Sequence, residues 1–276
     1  MMLTLILALL QQGAASELFR DDFSKLPIGM LSEPLGQLNP AVQEYHFLAH
    51  RGPVLDPWEN AIIYLDAWAA GQETDRSYLE MHLGAGNRRM EPELFTPTFV
   101  TGDVEWRDLT LEAWVKPLSF DDRAGLVFRY RTNRHHYAFT LEKGAKARLA
   151  VRQVIEKSYC RTEWKVLGET DYVHDTLTWH RLRVENRGEE IRCYIDGKLV
   201  IEVRDNQIPS GKAGLIAGSP ARFADFVVST TARPEIAAAI RRREPRKHGF
   251  RRQRGCPVCG RHGSPGRHPA RVNGRG

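Results

Sequence analysis

Cysteine is scarce, with four in 276 residues, so the chain cannot rest on the dense disulfide framework that staples small secreted domains. No stretch reaches the ~18 consecutive apolar residues that a membrane-spanning helix needs, and no membrane span is expected. Three further signatures are missing: a Gly-rich phosphate loop, an HExxH pair for a zinc protease, and a GxSxG nucleophile elbow. No Ser, Cys or Lys sits in a pattern that marks a nucleophile with its base. With 42% apolar residues, the chain can still bury a sizeable core.

The net charge of +6 is unevenly spread. From Arg233 to Gly276 there are thirteen Lys and Arg against two Asp and Glu, a net of +11, which leaves −5 for the rest of the chain. Basicity therefore belongs to the tail. The first residues, MMLTLILALLQQGAAS, form a short apolar run followed by small residues near Ala15 and Ser16, although no Lys or Arg precedes it. This pattern predicts a secretory signal over residues 1–16, and with it a secreted or periplasmic location.

Between these ends the chain shows a period of two. LTLEAWVKPL (109–118) places Leu109, Leu111, Ala113 and Val115 on one face, with Thr110, Glu112, Trp114 and Lys116 on the other. AGLVFRYR, HHYAFTLE and ARLAVRQVI continue the pattern at roughly ten-residue spacing, the mark of a sandwich or barrel. Upstream, LFRDDFS, EYHFL, AIIYLDAW and SYLEMHL read as strands separated by turn-rich segments. WHRLRVENRGEEIRCYIDGKLVIEVRD reads as three strands joined by two tight turns, at Arg187-Gly188 and Asp196-Gly197; the second suits a type I′ turn. His180, Leu182, Val184, Ile191, Cys193 and Ile195 should face inward. Export would permit a Cys160–Cys193 disulfide, but Cys193 alternates with Ile191 and Ile195 as a buried thiol would. SGKAGLIAG and ARFADFVVS close a domain over residues 17–231.

The succession WHRLRVEN, EIRCYIDGKLV, SGKAGLIAG and ARFADFVVS, with LFRDDFS at the start, resembles the laminin-G-like, concanavalin A-like domains of secreted bacterial polysaccharide-active proteins. Some of these are N-terminal modules of rhamnogalacturonan-lyase-like proteins, in which a propeller follows. The resemblance implies an all-β fold, a two-sheet antiparallel jelly-roll sandwich with its first and last strands together. It also implies a carbohydrate-recognition module accessory to polysaccharide degradation, the rival being a hydrolase or lyase acting on the concave face. Family-16 glycoside hydrolases share the architecture and carry a Glu-x-Asp-x-x-Glu strand. Here Glu105, Asp108 and Glu112 are spaced one residue too far in each gap, so Glu105 falls on the opposite parity and no catalytic residue is assigned. The general shape also resembles the 3-keto-disaccharide hydrolase group, whose internal motifs are not found.

For a binding face, the outward positions supply Trp114, Arg129, Arg131, His136, Arg181, Arg183, Arg192 and Tyr194. Aromatic faces stack on sugar rings and guanidinium forks bind carboxylates, so the expected partner is a polysaccharide, uronate-rich in the sharper form of this reading. The competing reading is a solvated sheet face of alternating Arg and Glu. His135 and His136 must point to opposite faces, and His180 should be a core histidine. No cofactor is expected beyond calcium, for which Asp21, Asp22 and Asp225 are the candidates if the terminal strands meet.

Residues 232–276 change character abruptly. Their Arg, Gly, Pro and His content cannot repay ordering, so the segment reads as a disordered low-complexity tail, or as the out-of-frame end of a longer coding sequence whose catalytic or propeller domain is missing. Cys256 and Cys259 with His262 and His268 have the ligand types for zinc, but the second pair is cramped. Nucleic acid is not an expected partner, because an export signal conflicts with it.

Overall fold

The computed structural model describes residues 16–31, 57–61, 68–82, 96–119, 121–155 and 162–230, all within one compact unit, Met1–Arg243. The expected signal, the strand EYHFL, Cys160, and the tail with Cys256, Cys259, His262 and His268 lie outside the described residues. Among the described residues every regular element is a strand, and no helix is long and apolar enough to cross a membrane.

The strands in chain order are β1 (Ser16–Asp21), β2 (Gly29–Met30), β3 (Trp58–Asn60), β4 (Trp68–Gln72), β5 (Ser77–Met81), β6 (Thr98–Thr101), β7 (Leu109–Pro117) and β8 (Arg123–Thr132). Then come β9 (His135–Glu142), β10 (Lys146–Val154), β11 (Thr162–Asp171), β12 (His180–Arg187), β13 (Glu190–Ile195), β14 (Lys198–Arg204), β15 (Lys212–Ala217) and β16 (Ala221–Thr230). A nine-stranded sheet runs β14-β13-β12-β7-β16-β5-β4-β2, with β1 also on β16; a seven-stranded sheet runs β11-β10-β9-β8-β15-β6-β3. Every pairing is antiparallel, and β1 lies against β16, so the first and last described strands meet.

The period-two pattern is what packs the sheets. Along β7, burial alternates strictly, with Leu109, Leu111, Ala113 and Val115 at most 1% exposed. They join Leu182, Val184, Ile191, Cys193 and Ile195 from the same sheet, and Leu126, Phe128, Phe139, Leu149 and Val151 from the other, in one continuous core. Burying each large side chain contributes about 1.5–3 kcal/mol. At one end Trp58 stacks on Phe99 at 5.0 Å between centroids and Trp68 lies 5.5 Å from the same ring. Cys193 is a buried free thiol, and burial pushes its pKa well up. The Asp196-Gly197 turn has φ of 51° and 81°, the left-handed pair a type I′ hairpin requires.

β8 departs from the alternation. Its register with β9 shifts between Phe128 and Thr132, and Arg129 adopts φ 47°. A bulge of this kind inserts an extra residue and reverses the facing of the residues after it. Arg129 therefore does not point outward as the alternation predicts; it is 1% exposed and projects between the sheets. Its Nε donates to Asn186 Oδ1 at 3.2 Å, Nη1 to the Ile208 carbonyl at 3.0 Å and Asn206 Oδ1 at 3.3 Å, and Nη2 to the Gly188 carbonyl. Asn186 passes the connection on, its Nδ2 donating to the Leu109 carbonyl at 3.1 Å. The Tyr137 ring lies 5.8 Å from the guanidinium, and its hydroxyl donates to Asp205 Oδ1. Burial, with that bond, pushes the Tyr137 hydroxyl up to about 12. Gly211 is required beside the bulge, because a Cβ there would run into the backbone of Arg129 and Tyr130.

Replacing Arg129 with Met strands several buried acceptors at once, and losing hydrogen bonds to a buried charge costs about 3 kcal/mol or more. Urea unfolding of Arg129→Met is expected to show that loss as a lowered midpoint with an unchanged slope. A midpoint within experimental error of the parent contradicts it.

Candidate functional site

On the outward face of the nine-stranded sheet the predicted positions form a self-neutralised ladder. Arg181 bonds Glu112 at 2.5 Å, Arg183 lies 3.4 Å from Glu185, and Arg192 bonds Glu202 at 2.7 Å. Tyr194 donates to Glu185 at 3.1 Å and carries the Arg183 guanidinium 4.0 Å from its ring centroid. The Arg76 guanidinium lies 5.0 Å from the Trp114 ring and 5.1 Å from the Trp179 ring. Glu73 closes this group, accepting from Lys116 Nζ at 2.7 Å, Arg222 Nη1 at 2.7 Å and Trp179 Nε1 at 3.2 Å. The Lys116 bond, aided by Arg222 and Trp179 and opposed by burial, holds the Glu73 carboxyl down at about 2.

The predicted ligand residues are thus divided. Trp114, Arg181, Arg183, Arg192 and Tyr194 share this face, paired with one another and with acids. Arg129 is interior because of the β8 bulge, and Arg131 is half-buried and donates to Ser210 Oγ. His136 lies on the outward side of the other sheet, its ring 5.4 Å from that of Tyr130, which belongs with Ala138 and Val127 to a cluster apart from the main core.

The three aspartates do not gather as a calcium site. Asp21 Oδ2 accepts from Trp58 Nε1 at 2.7 Å and Oδ1 from the Phe23 amide at 2.7 Å, while Asp22 Oδ1 caps Ser24. Asp225 occupies a bulge of β16 at φ 51°. Among the described residues no three His, Cys, Asp or Glu side chains are placed to hold a metal ion. Asp108, at φ 51°, accepts from the Gly188 amide at 2.6 Å, and Glu105 precedes β7 and lies 3.7 Å from Arg107. Neither stands on a strand with Glu112 as a catalytic pair would. His180 is buried, with Nδ1 3.2 Å from Asp196 Oδ2, as befits a core histidine.

The outward face of the seven-stranded sheet is built differently. Ala150, Ala138, Val127 and Gly214 stand in register across β10, β9, β8 and β15 and give its middle a floor of small side chains. Beside this floor, a recess of about 10 Å³ is lined by Thr96, Thr98, Asn133, His136, Arg152, Trp164 and Ile216. His136 and Trp164 both flank Arg152 by strand register, and their rings meet edge to face at 5.3 Å. The guanidinium groups of Arg123 and Arg152 lie 5.1 and 5.2 Å from the Trp164 ring. Four buried polar atoms of the lining, Asn133 Nδ2, His136 Nε2, Arg152 Nε and Trp164 Nε1, make no hydrogen bond, Arg152 being held through another nitrogen, Nη2, by Thr162 Oγ1. Burying such a group unpaired costs about 1–3 kcal/mol, so several in one recess call for a ligand or water.

The protonation state of His136 is set by its surroundings. Nδ1 lies 3.0 Å from the Thr132 carbonyl, which accepts only if the proton is on Nδ1. Burial, then the positive charge of Arg152, pulls the imidazole down to about 3. At neutral pH it is uncharged, with Nε2 a bare acceptor. Trp164, Asn133 and Arg152 were not among the predicted site residues; the alternation of Trp164 with Thr162 and Val166 in TEWKV was the available signal.

Residues 97–227 match the family model of the concanavalin A-like lectin/glucanases superfamily, in its laminin-G form. This stretch is a laminin-G-like, concanavalin A-like domain. Solved structures resemble the chain at low identity. A carbohydrate-binding module, CBM66 of Bacillus subtilis, is 14% identical with a TM-score of 0.49, over 63% of this chain and 96% of that one. A non-specific endo-β-1,3(4)-glucanase of family GH16 is 8% identical with a TM-score of 0.49, over 79% and 92%. A GH16 protein of the Bacteroides ovatus mixed-linkage glucan locus is 10% identical with a TM-score of 0.46, over 76% and 99%. No curated protein matches the chain.

The depressed Glu73 makes the stability of the domain pH-dependent. A carboxylate whose folded pKa lies below its unfolded value contributes fully above the unfolded value of about 4.5, and loses that contribution as pH falls toward about 2. Thermal melts from pH 7 to pH 2 are expected to show a steeper acid decline in the parent than in Glu73→Gln. Parallel profiles contradict the assignment.

Proposed function

We propose that the sandwich is a non-catalytic carbohydrate-recognition module, binding polysaccharide across the outward face of the seven-stranded sheet from β8 to β11. The observation that carries this reading is the recess on the seven-stranded sheet, whose lining residues Asn133, His136 and Trp164 keep polar atoms that no protein group answers. On the nine-stranded sheet the named cations are matched by acids or by the Trp114 and Tyr194 rings, and the buried nitrogens of Arg76 and Arg183 that make no hydrogen bond there belong to guanidinium groups those rings already hold. Sugars are bound by such convergent polar groups beside an aromatic ring. The names of the superfamily and of the carbohydrate-binding module that shares the fold agree with this reading without adding to its warrant.

Glycoside hydrolysis by the common route takes two carboxylates flanking the bond. The recess is lined by none, which supports recognition over turnover. Glu142, on the same face, accepts from Thr140 Oγ1 at 2.7 Å and lies 3.3 Å from Arg148. Export of the chain, and service to a polysaccharide-degrading system, belong to the same proposal: the module would hold its polymer for an enzyme.

Affinity electrophoresis of the full chain through gels containing neutral or acidic polysaccharides tests the reading. At least one polymer is expected to retard it, with Trp164→Ala losing about tenfold or more in affinity and Trp114→Ala migrating as the parent does. Retardation lost in Trp114→Ala and kept in Trp164→Ala would move the site to the other sheet. Reducing-sugar release by the parent would replace the module with an enzyme.

A further inference from the structure

We propose that the recess formed by Asn133, His136 and Trp164 is a hydroxyl-reading subsite, which takes one hydroxyl of a neutral sugar and rejects a carboxylate. This rests on the proposed recognition function and gives it a chemical class of ligand. The warrant is the match of donors to acceptors. Trp164 Nε1 is a donor only, and Asn133 Nδ2 is a donor; both are buried and unanswered. His136 Nε2 is an acceptor, because the Thr132 carbonyl 3.0 Å from Nδ1 fixes the proton on the other side of the ring. The indole and amide donors with the imidazole acceptor suit a hydroxyl, which accepts through two lone pairs and donates one proton; the Arg152 Nε–H of the same lining is a further donor.

A carboxylate is acceptor-only when ionised. It would satisfy the indole and the amide but set its lone pairs against His136 Nε2, leaving that atom buried and unpaired. The imidazole could answer only by taking a second proton, which its burial and the neighbouring Arg152 and Arg123 charges oppose. Arg152 donates through Nη2 to Thr162 Oγ1 at 2.8 Å, and Arg123 bonds Asp122 at 3.1 Å and lies 3.8 Å from Glu142. A site built to pair a hydroxyl discriminates strongly against a group that leaves its polar atoms unpaired.

On this proposal the ligand is neutral, where the arginine count anticipated a uronate-rich one. Those arginines serve the ion-pair ladder of the other sheet, the interior latch at Arg129, and the flanks of the Trp164 ring.

The test uses the full chain in affinity gels containing barley mixed-linkage glucan, inulin or dextran as neutral probes, and polygalacturonate as the acidic one. Retardation by at least one neutral polymer and none by polygalacturonate is expected. Trp164→Phe keeps the ring between its neighbours and deletes one N–H donor, and should lose about tenfold in affinity for the neutral polymer. Asn133→Asp replaces the second donor with an acceptor and should lose at least as much. Melting temperatures within a few degrees of the parent show that both variants are folded. Retardation by polygalacturonate alone, abolished in Trp164→Ala, would overturn the hydroxyl assignment while leaving recognition by this face intact. So would neutral binding that Trp164→Phe and Asn133→Asp leave unchanged. Retention by none of the four polymers would instead remove the recognition reading, and this inference with it.

Discussion

A guanidinium that cannot reach water has to find its partners inside the protein, and Arg129 finds them on three separate segments. It joins a bulge of the seven-stranded sheet to Asn186 of β12, to the β12–β13 turn at Gly188, and to the Asp205–Ile208 connection that leads into β15. Hydrophobic contact alone holds two sheets together with little preference for their relative placement, since it is non-directional. Directed bonds from one buried charge are different in kind. They fix where β8 lies against β12, and because β8 is central to its sheet, they also fix where the outward side chains of β8, β9 and β10 stand. The bulge that buries Arg129 brings Tyr130 to the outward cluster beside His136. Core latch and surface recess are two sides of one irregularity.

The two outer faces differ in what their side chains already bond. Counting arginines and tryptophans favours the nine-stranded sheet, which is rich in both. Each cation named there already has an acid or an aromatic ring, and an exposed pair of that kind contributes little to stability. Glu73 is the extreme case, with three donors on one carboxylate. The seven-stranded face has fewer conspicuous residue types, yet there an indole, an amide and an imidazole nitrogen without partners line one recess. Unanswered hydrogen-bonding capacity in a recess is better evidence of a ligand than the number of charged residues around it.

Most of the fold was legible because a half-buried antiparallel strand leaves a period of two in the sequence, as in LTLEAWVKP and HRLRVENR, and because Asp196-Gly197 announces its own turn. The inward set of Leu182, Val184, Ile191, Cys193 and Ile195 follows from that period and lies in the core. The breaks in the period were not legible. Nothing in GLVFRYRT marks the left-handed Arg129, so alternation carried its side chain to the wrong side. Strand β11 was not anticipated, being an edge strand with no buried position in TEWKVLGETD, and Trp164 went unnoticed with it. His136 was placed among the candidate ligands, but its companions Asn133 and Trp164 come from a turn and an edge strand that only pairing brings together. Proximity of that sort is set by register across three strands, which no single segment encodes.

The proposed recognition at this face depends on His136 presenting a bare, fixed acceptor at Nε2. Long-range proton–nitrogen NMR correlation of the imidazole in the full chain reads this directly. A protonated Nδ1 and an unprotonated Nε2 are expected, with shifts unchanged between pH 8 and pH 5, since burial keeps the ring neutral well below the ordinary histidine value. A proton on Nε2, or a titration near pH 6.5, would contradict it.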